Sequence, residues 1–307
     1  MLELPRELPP DPAHPMSKAS FAAAVLLPFV LWADGGAVWG ADPSSPDPVQ
    51  RGEYVFIAAG CHGCHTDEKN GGAPLAGGRA MKTPFGTFHT PNITPDPQHG
   101  IGRWSDADFV QALRHGREPD GEALFPAFPY TSYTKMSERD LLDLRAYLMT
   151  RPPVAAPNRP HDLTPPFGWR FLLPVWQWLH LEEGTLADDP AKPAEWNRGR
   201  YLVEALGHCG ECHSPRGLMG GMDHDRALAG NPNGPDGDKV PGLRPGVKGA
   251  GELSVGEIET VLELGMQPDG DFVGGAMGEV VRNTTSKLTP ADRHAIAVYL
   301  KSLPPVH

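Results

Sequence analysis

Cys61-His62-Gly63-Cys64-His65 and Cys209-Gly210-Glu211-Cys212-His213 share the pattern Cys-x-x-Cys-His and use all four cysteines of the 307-residue chain. Two identical spacings with no cysteine left over imply two equivalent sites. The flanks repeat as well. Arg51-Gly52-Glu53-Tyr54 returns as Arg198-Gly199-Arg200-Tyr201. Thr90-Pro91-Asn92-Ile93-Thr94-Pro95 has a weaker echo in Val240-Pro241-Gly242-Leu243-Arg244-Pro245. Gly116-Arg117-Glu118-Pro119-Asp120-Gly121 returns as Gly265-Met266-Gln267-Pro268-Asp269-Gly270, and Met136-Ser137-Glu138-Arg139-Asp140 as Leu288-Thr289-Pro290-Ala291-Asp292. Four blocks in one order make a duplication, with halves at 42–153 and 195–307.

Each block reads as helix or loop. Residues 49–59 and 196–206 are short amphipathic helices leading into the cysteines. Ser105 with Asp108, Ser137 with Asp140, and Thr289 with Pro290 and Asp292 are helix-start signals. Leu141, Leu144, Arg145 and Leu148 keep helical spacing up to Pro152-Pro153; Ile296, Leu300 and Leu303 do so up to Pro304-Pro305. No convincing alternating strand pattern appears, so two all-α domains are predicted. Between them, residues 154–194 form a linker rich in proline and aromatics, including Phe167, Trp169, Phe171, Trp176 and Trp178. Two roles suit it: a docking surface for a redox partner, or a strap whose aromatics pack on both halves. The strap is the expectation, because such aromatics usually fill cores and interfaces.

Two thiols about one helical turn apart can each add to a vinyl group of a heme, which places the next residue, histidine, under the iron. Cys-x-x-Cys-His is the attachment pattern for c-type heme. Cys61 and Cys64 would hold one heme with His65 as proximal ligand, and Cys209 and Cys212 a second with His213. Zinc also takes Cys-x-x-Cys pairs, a thioredoxin-like pair would sit at a helix start beside a sheet, and a disulfide within each pair gives the histidine no role. Two copies opening duplicated helical units favour heme.

Methionine as sixth ligand raises the potential and closes the iron to substrates. In the second half Met219 and Met222 lie too near His213 to reach the opposite heme face. Met266 is expected to end a helix, where core packing is its usual role. Met277, in the Gly-rich loop Gly274-Gly275-Ala276-Met277-Gly278, is the predicted ligand. The position equivalent to Met277 in the first half is Phe128. Met136, eight residues on and still before the closing helix, is the predicted ligand there, with Met81 and Met149 as rivals. His89, His99, His115, His224 and His294 read as surface or loop residues, Trp104 as packing, and Asn92-Ile93-Thr94 as an incidental glycosylation match.

With 36 glycines and 35 prolines the chain is loop-rich, and 39% hydrophobic residues still permit a core. Its formal charge of −11 argues against nucleic acid as a partner. Residues 21–32 are a short apolar run after Lys18, followed by small residues, as in an export signal spanning 1–41. Met16 could be the true start. A 12-residue run is short for a bilayer span, and no later segment is long and apolar enough to cross one.

Thr90-Pro91-Asn92-Ile93-Thr94-Pro95-Asp96, Gly100-Ile101-Gly102-Arg103-Trp104-Ser105 and Phe125-Pro126-Ala127-Phe128-Pro129-Tyr130 resemble the cytochrome c subunits of bacterial periplasm-facing alcohol, gluconate, fructose and aldehyde dehydrogenases. The resemblance implies two tandem class I cytochrome c folds, two covalent hemes at the four cysteines, axial His65 and His213, and methionines matching Met136 and Met277. Many of those subunits carry three hemes, whereas this chain has two motifs. The expected role is that of an electron-transfer protein and not an enzyme: a periplasmic carrier or subunit receiving electrons from a dehydrogenase and passing them to a downstream acceptor. A heme enzyme of peroxidase or thiosulfate-oxidoreductase type, with one displaceable ligand, is the alternative, and a zinc-binding interaction module is a third reading.

Overall fold

The segment leading into each first cysteine is the spine of its half. The computed structural model describes residues 43–234, 237–247 and 249–305; the expected export signal lies outside the described residues. In chain order the helices are α1 (Pro48–Ala58), α2 (Cys61–His65), α3 (Asp106–His115), α4 (Tyr130–Tyr133), α5 (Glu138–Leu148), α6 (Leu173–His180), α7 (Ala194–Tyr201), α8 (Gly210–His213), α9 (Val255–Leu264), α10 (Gly275–Asn283) and α11 (Pro290–Ser302).

The helix starts form where the capping residues stand. Ser105 and Asp108 make a reciprocal capping box on α3, and Ser137 and Thr289 accept from the Asp140 and Asp292 amides at α5 and α11. Each such cap is worth about 1 kcal/mol. In both halves the first helix packs on the last, α1 on α5 and α7 on α11. A glycine permits each approach: a Cβ on Gly52 would overlap the Asp143 carbonyl, and one on Gly199 the Ala295 carbonyl. The arginine before each glycine locks the same pair of helices. Arg51 grips Asp143 with two bonds of 2.7 Å, and Arg198 grips Asp292 at 2.8 and 2.7 Å.

Leu141, Leu144 and Leu148 bury one face of α5, and Ile296 and Leu300 do the same on α11. A fully buried side chain of this kind contributes about 1.5–3 kcal/mol. The two halves share one continuous core that also takes in Tyr54, Val55, Tyr133, Leu202 and Leu206. Their contact is reciprocal. Tyr54 of the first half donates to Asp292 and accepts from the Thr289 amide (3.1 Å) at the start of α11. Tyr201 of the second half donates to Asp140 (2.6 Å) and accepts from the Ser137 amide (2.9 Å) at the start of α5. The two tyrosines occupy equivalent repeat positions, and so do their targets. The arrangement has the logic of a two-fold interface, in which residue i meets j and j meets i.

One feature departs from the all-α reading. Strands β1 (Ala80–Thr83) and β2 (Gly86–His89) form a hairpin, and β3 (Asp162–Leu163) from the linker adds to it through Gly86↔Leu163 and Thr87↔Asp162. Four-residue strands around Pro84 are too short to show alternation. The linker straps both halves: Gln177 donates to the carbonyls of His115 (3.2 Å) and Gly116 (3.0 Å), and Trp176 Nε1 donates to the Met219 carbonyl (2.9 Å). Its outer side is different. Trp169 stacks on Phe171, and Phe171 and Trp178 are 72% and 81% exposed. No helix among the described residues is long and apolar enough to cross a membrane.

Candidate functional site

Each Cys-x-x-Cys-His motif forms a short helix: Cys61–His65 is α2, and Cys209 caps α8. The histidine at the end of each is held by a carbonyl supplied from downstream. His65 Nδ1 lies 2.8 Å from the Pro91 carbonyl, and His213 Nδ1 lies 2.8 Å from the Pro241 carbonyl. A carbonyl can only accept, so Nδ1 carries the proton and Nε2 keeps a free lone pair. This is the outer-shell arrangement that fixes the tautomer and orientation of a metal-ligating imidazole. Burial pushes both histidines below the usual imidazole range, which favours the neutral, ligating form, while the proline carbonyl partly opposes the shift.

The support repeats behind the ring. Gly77 donates to the His65 carbonyl (2.9 Å) and Gly230 to the His213 carbonyl (2.7 Å). Both glycines are left-handed, at φ 72° and 94°, and a Cβ on Gly77 would press on the Thr90–Pro91 backbone. Thr66 accepts from the Leu75 amide, and Ser214 from the Leu228 amide. The Thr-Pro-Asn-Ile-Thr-Pro loop is pinned by Asn92, whose buried amide donates to Val154 (2.8 Å) and Ala156 (3.1 Å) and accepts from Thr94. Asn92 is thereby committed to the interior, which removes the glycosylation match.

All four thiols are free of disulfides. Desolvation by surrounding atoms pushes Cys61 and Cys209 up to about 12 and Cys212 up to about 11, and it also raises Cys64. A reactive Cys-x-x-Cys pair shows the opposite shift. Among the described residues, no three His, Cys, Asp or Glu side chains converge as a metal cage, so zinc does not fit this donor set. A c-type heme does fit: it needs paired unbridged thiols and one imidazole with Nε2 left open.

The two motifs sit close together. The Cys64 charge contributes to raising Cys212. Thr131 and Ser132 of the first half donate to Glu211 within the second motif, at 2.9 and 2.8 Å. Burial pushes the Glu211 carboxyl up, but Arg216 and these hydroxyls bring it net below its ordinary value. Helix α10 of the second half lies against α2, where Glu279 pairs with Arg79 (2.7 Å), whose guanidinium donates to the Gly63 carbonyl.

A model of the cytochrome c family matches residues 49–152 and 197–304. The chain belongs to the cytochrome c family. This cytochrome is 43% identical over 292 residues to a diheme cytochrome c-type protein of Cereibacter sphaeroides, covering 91% of this chain and 97% of that one. It is 40% identical over 300 residues to the cytochrome c subunit of an alcohol dehydrogenase (quinone) of Gluconacetobacter polyoxogenes, covering 94% of this chain and 62% of that one. It is also 36% identical over 301 residues to the cytochrome subunit of a fructose dehydrogenase of Gluconobacter japonicus, covering 95% and 60%. The cytochrome therefore spans nearly the whole diheme relative but about three-fifths of each of the two dehydrogenase subunits. Two tandem cytochrome c domains and two covalently bound c-type hemes follow, and electron transfer is the function.

The methionines vary in setting. Met136 is fully buried (0% exposed) in the shared core, directly before the cap of α5. Its repeat equivalent, Leu288, is also buried, at 5%. Met277 lies in the first turn of α10 and not in a loop, and it is half-buried. Phe128, its equivalent, packs between Tyr130 and Tyr133. Met266 follows the α9 cap Gly265 and is exposed, contrary to its expected core role, because the helix stops at Leu264, two residues earlier. Met149 packs on the core after α5, and Met81 sits on β1.

Sequence reasoning missed His208. It is left-handed (φ 38°), its ring meets Tyr133 edge-on at 5.5 Å, and its Nε2 lies 3.3 Å from the Ala59 carbonyl. Tyr133 donates to the same carbonyl at 3.0 Å.

Proposed function

We propose that this diheme cytochrome is the electron-transfer subunit of a periplasmic dehydrogenase, receiving electrons one at a time and passing them to a respiratory acceptor. The observation that carries the reading is the pair of matched histidine supports: two equivalent sites, each with its imidazole set by a proline carbonyl, packed at one interface of the two halves.

Cys61 and Cys64 would hold the first heme with His65 as proximal ligand and Met136 as sixth; Cys209 and Cys212 would hold the second with His213 and Met277. When bound, each heme iron supplies a one-electron Fe(III)/Fe(II) couple. The chain's own residues do the rest. Pro91 and Pro241 keep the imidazole protons on Nδ1, Gly77 and Gly230 brace the histidine backbones, and the shared core holds the two halves together. The dehydrogenase subunits among the relatives support a dehydrogenase partner. The apolar run at 21–32 with its small-residue flank supports export to the periplasm.

Isolation of the native protein from the periplasmic fraction tests this directly. We expect co-purification with a dehydrogenase subunit, two hemes per chain, and little carbon monoxide binding in the reduced state. A solitary protein that binds carbon monoxide and turns over a small substrate would establish the heme-enzyme alternative instead.

A further inference from the structure

The approach to the second motif is one residue longer than the approach to the first. Ten positions separate Arg51 from Cys61, and eleven separate Arg198 from Cys209. The extra residue is absorbed by a π-helical turn at Leu202–Leu206 between α7 and the motif. Such turns often mark functional positions. The turn rests against α4 and α1 of the first half. It also shifts which residue bends. In the first half Gly60, just before Cys61, is left-handed at φ 64°. In the second half Gly207 keeps a right-handed backbone, and His208, just before Cys209, takes the left-handed one.

A side chain at that position carries a backbone cost that a glycine would not. The cost is met where the imidazole reaches across the halves. Nε2–H donates to Ala59, two residues before Cys61, and the ring packs on Tyr133, which holds the same carbonyl.

We propose that His208 is a positioning residue for electron exchange between the two hemes: it ties the Cys209 segment to the Cys61 segment and sets their separation. This rests on the two-heme reading above. The tie makes a short path of bonds from Cys209 through the His208 ring, across one hydrogen bond to Ala59, and through Gly60 to Cys61. In the exchange one electron leaves the reduced site and arrives at the oxidised one. No bond breaks and no proton is transferred.

The test uses the intact diheme protein with His208→Gly, which suits the left-handed backbone, and His208→Asn, the other residue at home there. Mass spectrometry first establishes two attached hemes in each variant, which separates failure of this inference from failure of the two-heme reading. Amide exchange over Ala59–Cys61 is expected to rise about five- to tenfold, the worth of one hydrogen bond in local opening. Interheme electron equilibration, followed by pulse radiolysis of the half-reduced protein, is expected to slow severalfold while both heme potentials stay in place. Tyr133→Phe, which leaves the imidazole tie intact, should slow it less. Wild-type equilibration in either His208 variant that retains both hemes would overturn the proposal, as would a slowing fully accounted for by a shifted potential. If neither variant retains both hemes, His208 is needed for assembly and the proposal as stated fails.

Discussion

The first half reaches its motif along an α-helix followed by a left-handed Gly60, whereas the second half arrives through a π turn followed by a left-handed His208. Beyond that point the halves become almost superimposable in their bonding. Each histidine gives Nδ1–H to a proline carbonyl, each takes an amide bond from a left-handed glycine, and each closing helix is gripped by an Arg-Gly pair. The lesson is that duplication preserved the machinery that sets the imidazoles and relaxed what lies just before it. The proposed sixth-ligand positions diverge most: Met136 aligns with Leu288 in the repeat, and Met277 with Phe128.

The largest expected effect tests whether the halves are equivalent as attachment sites. Replacing Cys61 and Cys64 by alanine should remove one covalent heme, and replacing Cys209 and Cys212 should remove the other, each halving roughly the α-band absorbance. Loss of both hemes from either variant would break the equivalence. The methionines come next. Met136→Leu and Met277→Leu should each open one iron to carbon monoxide and lower its potential. If Met136→Leu leaves the iron closed, Met136 is simply core like Leu288, and the first half takes its ligand elsewhere.

Gly52→Ala and Gly199→Ala should be equally costly, since each Cβ meets a backbone carbonyl of the partner helix. Overpacking of this kind costs about 1–3 kcal/mol, measurable by denaturant unfolding. Tyr54→Phe and Tyr201→Phe should each cost about 1.5–3 kcal/mol, the worth of a bond to a charged group. A marked inequality would show that the interface is less symmetric in energy than in geometry.

The smallest effect is a pH tail. Burial, together with the bond to Asp292, raises the Tyr54 phenol to about 12, and burial beside Asp140 raises Tyr201 in the same direction. An unfolded tyrosine ionises near 10. The folded state therefore keeps its full contribution below about pH 10 and loses it as pH rises toward 12. Denaturation midpoints should hold to about pH 9 and then fall, with a shallower fall in Tyr54→Phe.

Much of this was readable in the residues. The motif spacing and repeated blocks point to two equivalent candidate sites, and Ser105, Ser137 and Thr289 mark helix starts that the fold realises. The Thr-Pro-Asn-Ile-Thr-Pro block stood out as a repeat, but a backbone carbonyl leaves no trace in side-chain identity, so the task of Pro91 stayed hidden. Tyr54 lies 238 residues from Asp292, and no local pattern encodes a contact of that span. His208 was lost for a different reason. A matching glycine at 207 suggests the same register as Gly60, while the extra residue moves the left-handed bend one place along.

The crossed tyrosines carry a consequence for how such a molecule can be taken apart. Because Tyr54 completes the start of α11 and Tyr201 the start of α5, each copy borrows its finishing stroke from its sibling. Severing the chain within the strap and parting the halves would leave each fragment with a phenol and a helix-start amide stripped of their bonds across the interface. The two repeats form a partnership that neither can leave intact.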